Sequence, residues 1–168
     1  GNACGSHAGG KNIGVAPEAT LYAGAAINHD CNNKCTGTTA QLIAGMEWAV
    51  EENVDVSSLS MGGIGENDNY INDTVSIVRD AREAGTVVVA AAGNSKAGNT
   101  TSPGNVYDSI SVGATRSDDT VADFSSSVIV RADAWDDPPA DWPETYSVPT
   151  VVAPGVGVKS SVPDGEYT

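Results

Sequence analysis

The stretch Val87-Val88-Val89-Ala90-Ala91-Ala92-Gly93-Asn94 decides the fold of this chain, because a run of β-branched and small apolar residues ends in glycine and a single amide. Without polar alternation, such a run reads as a strand covered on both faces, as in parallel sheets sandwiched between helices. Ligands of open α/β sheets gather at the carboxyl ends of the strands, and Asn94 stands at such an end. Gly93 beside it has no Cβ, so another backbone can come close. The Asn94 amide offers two N–H donors to a developing negative oxygen. The same residue also suits a turn or a left-handed cap, and from this run alone both readings stand.

Upstream, Gly85 stops a helix over residues 70–84 whose Ile71, Val75, Val78 and Ala81 share one face. A strand over 54–59 precedes it. Before that strand, Thr38-Thr39-Ala40-Gln41 opens a helix with Leu42, Ile43, Met46, Ala49 and Val50 at three-to-four spacing, ending near Asn53. The apolar run Leu21-Tyr22-Ala23-Gly24-Ala25-Ala26-Ile27, after the turn Gly14-Val15-Ala16-Pro17, reads as a first strand. Downstream come strands at 110–113 and 148–152, with a short segment near 121–124 between them. Residues 131–147, with Asp136-Asp137-Pro138-Pro139 and two tryptophans, read as a surface loop, since they cannot continue a central strand. The order β-α-β-α-β-β-β predicts an α/β fold with a doubly wound, mainly parallel sheet whose strand ends share one edge.

The 168 residues have the length of one domain and can form a core without a disulfide framework. Aromatic residues make up only 5% against 19 glycines, so the core is aliphatic and closely layered. The formal charge of −14 excludes a nucleic-acid surface, which needs Lys and Arg. Because the acids are dispersed rather than gathered in a tail, a saline environment that screens their repulsion accounts for them better than an ordinary acidic surface. No stretch approaches the ~18 to 20 apolar residues of a membrane span. The start at Gly1-Asn2-Ala3-Cys4-Gly5-Ser6-His7 reads as a glycine-rich loop entered midway, so natural sequence is expected before Gly1.

Seven segments then fall in a telling order: Gly14-Val15-Ala16-Pro17-Glu18-Ala19, Glu47-Trp48-Ala49-Val50, Ser60-Met61-Gly62-Gly63, Ala91-Ala92-Gly93-Asn94, Ile110-Ser111-Val112-Gly113-Ala114, Ala122-Asp123-Phe124-Ser125-Ser126 and Val152-Ala153-Pro154-Gly155-Val156. Together they resemble the subtilisin-like serine proteases over nearly the whole chain. The acidic composition and the Trp/Pro-rich loop are most similar to subtilases of halophilic archaea. The resemblance implies a three-layer subtilisin-like domain and hydrolysis of peptide bonds through an acyl-enzyme, with serine, histidine and aspartate as the triad. It also implies a secreted, extracellular enzyme acting on polypeptides. None of the three triad residues appears in its motif here. The family's Gly-Thr-Ser-Met-Ala would follow shortly after Gly165-Glu166-Tyr167, and its His-Gly-Thr-His would precede Gly1. The chain thus resembles one incomplete peptidase domain over 1–168, cut between the catalytic histidine and serine and inactive by itself.

By the same resemblance, Asn94 donates to the tetrahedral oxyanion. Ser60, Met61 and Gly62 pair with the substrate backbone, and Ala91, Ala92 and Gly93 form the opposite wall of the primary pocket. Plain sheet packing is the competing account of both segments. His7 and His29 read as loop histidines, since Gly5-Ser6-His7-Ala8-Gly9 lacks a helix start that would aim an imidazole. Cys31 and Cys35 are close enough to close a small disulfide loop, leaving Cys4 odd. Cys4 with His7, and His29 with Cys31 and Cys35, alternatively supply soft ligands for a zinc-stabilised structural module. A calcium site is known before the Gly-Val-Ala-Pro turn in many subtilases, but Asn2 and Asn12 alone do not make one, and no cofactor is expected. A non-catalytic peptide-binding module on the same sheet is the remaining alternative. Because the family's covering helices would be missing, exposed apolar surface and self-association are expected.

Overall fold

The computed structural model describes residues 8–11, 14–27, 37–64, 69–162 and 166–167. Cys4, His7, His29, Cys31 and Cys35 lie outside the described residues, and with them the disulfide and zinc readings. The chain groups into two compact units, Gly1–Gly24 with Gly157–Thr168, and Ala25–Val156. In the first, Ala8 and Gly9 are helical where a loop around His7 is expected, and Val162 donates to the Glu166 carbonyl at 2.9 Å.

Among its described residues the second unit is a mixed α/β structure with two α-helices and a mainly parallel sheet. Helix α1, Thr39–Glu51, begins at a capping box in which the Thr38 hydroxyl accepts from the Gln41 N–H and the Gln41 side chain accepts from the Thr38 N–H. Helix α2 is Asp73–Glu83. Both helices end in the same device. Asn53 donates to Val50 and Val54 to Ala49, and likewise Gly85 to Arg82 and Thr86 to Ala81, which satisfies the last carbonyls. The turn residues Asn53 and Gly85 have φ of 55° and 95°, as this ending requires. Each helix is thereby delivered directly into a strand, α1 into β1 (Val56–Leu59) and α2 into β2 (Val87–Ala91).

The main sheet has the order β1-β2-β3-β6, all neighbours parallel, with β3 at Ile110–Thr115 and β6 at Val151–Pro154. Val88 of β2 is buried in a common core with Leu42, Met46, Ile77, Val78 and Ala81 of the helices, and Ala90 is buried as well. Val87, Val56 and Ile110 on the alternate positions are 44%, 56% and 39% exposed. The apolar run at 87–91 therefore alternates in burial, and the expectation of cover on both faces is met on one face only among the described residues.

Two further expectations change. Residues 21–26 form no strand, and Leu21 and Tyr22 are half exposed. A strand needs a hydrogen-bonding neighbour, and among the described residues none pairs with the outer edge of β1. The supposed surface loop at 131–147 is instead an anchored ribbon. Strand β4, Val128–Arg131, pairs antiparallel with β5, Thr145–Val148, and a 3₁₀ turn at Ala132–Ala134 starts the connection. Trp135 and Trp142 from this connection are 3% and 8% exposed. The expected strand at 148–152 is split between β5 and β6, with Pro149, which has no N–H for a ladder, at the break.

The ribbon is held by rings and by one buried carboxylate. Trp135 lies tilted against Tyr70 at 4.9 Å and edge-on to Trp142 at 5.5 Å, and Tyr146 lies 5.2 Å from Tyr107. The Tyr146 hydroxyl donates to the Asn105 carbonyl at 2.7 Å and accepts from Trp135 Nε1 at 3.1 Å. Burial pushes the Tyr146 phenol well above its usual range. Asp108, its side chain 2% exposed, accepts from Trp142 Nε1 at 2.7 Å, from Arg79 at 3.1 Å and from Arg82.

Candidate active site

The parallel register sets Leu59 beside Ala90, so the chain leaves β1 and β2 at the same edge of the sheet. Ser60, Met61 and Gly62 follow β1 directly, while Ala92, Gly93 and Asn94 follow the last residue of β2. This is the carboxyl edge, where an α/β sheet presents its ligand-facing loops. The two segments expected to form facing walls are thus brought to one place.

What lies between them is small and closely fitted. A Cβ built on Gly62 would meet Thr101 Oγ1 at 2.5 Å, and one built on Gly93 would meet the same oxygen at 3.1 Å. Thr101 therefore stands between the two segments as a floor. Glycine is required at both positions by this approach, and at Gly93 also by a φ of 115°. Gly63 and Ser102 exchange backbone hydrogen bonds at 3.0 and 2.9 Å, which ties the first segment to the loop after the second. Ala92 is fully buried, its N–H on the Val112 carbonyl and its own carbonyl accepting from Thr101 N–H at 3.1 Å and from the Thr100 hydroxyl at 3.1 Å. Its side chain belongs to the buried core, so it brings a fixed backbone to this edge; Ala91 and Gly93 are half-buried on either side.

Asn94 is exposed in a bend beyond β2, and among the described residues its side chain makes no hydrogen bond. Its neighbours are held instead. The Gly93 carbonyl accepts from Ser126 N–H at 3.0 Å, Ser95 N–H donates to Ser126 Oγ at 2.9 Å, Lys96 N–H to the Phe124 carbonyl at 3.1 Å, and Gly98 N–H to the Ser127 carbonyl at 2.7 Å. An amide with unused donors is thereby presented on a bend whose backbone is fixed before and after it. No ionisable side chain takes part in these contacts, which run between main-chain groups and the Ser126 hydroxyl, and an edge of this kind can stabilise a negative oxygen or grip a peptide.

Thr101 and Ser126 escape sequence reasoning as site residues. Ser126 falls in a quoted motif, yet its burial and its reach to Ser95 appear only in three dimensions. A hollow of about 610 Å³ opens at the opposite edge, by Thr86, Val87, Ser109 and Ile110. There Thr86 and Ser109 donate to main-chain carbonyls and Arg82 pairs with Asp108, while the buried Ser111 hydroxyl has no partner among the described residues. Among the described residues no group of His, Cys, Asp and Glu is placed to hold a metal ion.

Known proteins resemble this chain over most of its length. A model of the subtilase family matches residues 1–167. Subtilisin E of Bacillus subtilis (strain 168) is 33% identical over 159 residues, covering 92% of this chain and 35% of its own length. Subtilisin DY of Bacillus licheniformis is 36% identical over 160 residues, covering 93% and 49%. Of solved structures, a cold adapted subtilisin-like serine proteinase superposes with a TM-score of 0.56 at 29% identity, over 79% of this chain and 41% of that one. The prenylagaramide maturation protease PagA shares the fold, at a TM-score of 0.61 and 18% identity, over 81% of this chain and 44% of that one. The chain spans between a third and a half of the length of these curated relatives.

Proposed function

This chain belongs to the subtilase family, and we propose that it is the central part of a serine endopeptidase, with 1–168 forming one incomplete subtilisin-like peptidase domain. Peptide-bond cleavage proceeds through an acyl-enzyme whose serine, histidine and aspartate lie in flanking sequence. Asn94 supplies a side-chain N–H to the oxyanion of the tetrahedral intermediate. Ser60, Met61 and Gly62 pair with the extended substrate backbone, across from Ala91, Ala92 and Gly93. The observation that carries this reading is the exposed Asn94 amide, without a partner among the described residues, on the carboxyl edge shared by β1 and β2.

The test is Asn94→Ala in the full-length parent enzyme. Removing one such donor from subtilisin is known to lower kcat on the order of 10²–10³-fold, and a loss of that size with little change in KM is expected. An unaltered kcat rejects the assignment of Asn94.

The parent enzyme acts outside the cell, and the net charge of −14 on these 168 residues suits a saline medium of halophilic type. The isolated segment has no peptidase activity, and a serine-directed phosphonate does not label it above a denatured control. Its uncovered apolar positions at Val56, Val87, Ile110 and Val152 favour self-association. Light scattering that finds a compact monomer at all concentrations refutes that last expectation.

A further inference from the structure

We infer that Ser126 is the positioning residue for Asn94, a role that rests on Asn94 being the oxyanion donor. Ser126 is fully buried and touches the chain on both sides of Asn94. Its N–H donates to the carbonyl of Gly93 at 3.0 Å, and its Oγ accepts the N–H of Ser95 at 2.9 Å. One residue thereby fixes the carbonyl before Asn94 and the amide after it, which sets the direction in which the Asn94 Cα–Cβ bond leaves the bend. The hydroxyl also lies against Gly93, where a Cβ would sit 2.9 Å from it. That contact and the φ of 115° at Gly93 leave the peptide little freedom to rotate.

The neighbouring bonds have a different character. Lys96 and Gly98 donate to the main-chain carbonyls of Phe124 and Ser127, which any residues at 124 and 127 would offer. Among the described residues, the Ser126 hydroxyl is the side-chain member of this lacing between 93–98 and 124–127, so it is the contact a substitution can remove. An oxyanion donor works by being aimed before charge develops, at no reorganisation cost during the reaction. A donor on a bend that swings loses part of that advantage without losing affinity for the ground-state substrate.

The experiment uses the full-length parent enzyme with Ser126→Ala, Asn94→Ala and the double variant. Each is assayed for kcat and KM on a chromogenic peptide, and for inhibition by a peptide aldehyde, whose hemiacetal oxygen occupies the oxyanion position. Ser126→Ala is expected to lower kcat about 5- to 20-fold, the scale of one hydrogen bond, and to weaken the aldehyde by a like factor at unchanged KM. On the Asn94→Ala background the same change is expected to do nothing further. If Ser126→Ala keeps full kcat, or if the two losses multiply in the double variant, the inference is overturned while Asn94 keeps its role. If Asn94→Ala itself keeps full kcat, the reading of Asn94 fails, and Ser126 then has no catalytic amide to aim. Should Ser126→Ala not fold, Ser126→Cys carries the test. Its sulfur is a weaker acceptor, so an intermediate loss of about 2- to 5-fold supports the inference and an unchanged kcat overturns it.

Discussion

The edge around Asn94 and the ribbon of β4 and β5 are adjacent in sequence, since Ser126 precedes Val128 by two residues, yet they are held by opposite means. The buried and half-buried residues flanking Asn94 at 91–93, 100–102 and 125–126 are alanine, glycine, serine and threonine, and mostly main-chain hydrogen bonds fix the backbone. On the ribbon the work falls to burial, with Trp135, Trp142 and Tyr146 packed among Tyr70 and Tyr107. The contrast follows from what each must present. A cleft has to stay open to a substrate, so its walls are aimed by backbone bonding and kept thin. A ribbon that connects two neighbouring strands of one sheet, β3 and β6, has only to stay in place, and large apolar area achieves that without precise direction.

The largest effect expected from this contrast is on stability. Trp142→Ala removes a buried indole, its ring contacts and the donor at 2.7 Å from the buried Asp108 carboxylate. Truncating a buried tryptophan costs about 3–5 kcal/mol, so calorimetry of the parent enzyme should show a strongly lowered Tm. Below that Tm, kcat should stay within a few-fold of wild type. If kcat collapses while the variant is still folded, the two regions are one mechanical unit and the contrast is broken.

Gly93→Ala should give the reverse pattern. The new methyl would lie 2.9 Å from Ser126 Oγ and 3.1 Å from Thr101 Oγ1, on a residue whose φ is 115°. Strain of this kind costs roughly 1–3 kcal/mol. The relief available is displacement of the Ser126 hydroxyl or of the bend carrying Asn94, so kcat should fall at least about tenfold in enzyme that remains folded at the assay temperature. A variant with lowered Tm but intact kcat would show that the clamp tolerates movement and that aim is set elsewhere.

The same contrast explains what could be read from the sequence. The helices were legible because their signals are local: Thr38 and Gln41 form the capping box, and Asn53 and Gly85 sit at the two helix ends. The carboxyl edge was legible because a parallel sheet needs only the order of its strands to bring 60–62 and 91–94 together. The ribbon was not. Its prolines and acids look like solvent-facing loop, while the partners that bury it are distant: Asp108 for Trp142, Asn105 for Tyr146, and Asn72 for Asp136, 64 residues away. The run at 21–27 failed for a related reason, since apolar content does not supply a pairing neighbour. Ser126 was in view as part of a motif, but its role depends on Ser95, 31 residues earlier.

The smallest effect lies at the outer end of the ribbon's ionic network, where Arg79 links the buried Asp108 to the exposed Asp141 at 3.1 Å on each side. The hydrogen bond from Arg79 holds the Asp141 carboxyl below its ordinary value, with the charges of Arg79 and Arg82 acting in the same direction. A carboxylate whose folded pKa is depressed adds stability above its unfolded pKa, near 3.9, and loses it as pH falls through the folded value. Asp141→Asn should therefore lower the Tm slightly at pH 7, and the gap to wild type should close as the pH is taken below about 4. Because Asp141 faces water, added salt should narrow the same gap at pH 7. A gap that persists at low pH would mean that Asp141 acts through packing or neutral hydrogen bonding. The ribbon's ionic rim would then belong with its aromatic interior, and the division between directed bonding and buried area would run between Asn94 and the ribbon rather than through the ribbon itself.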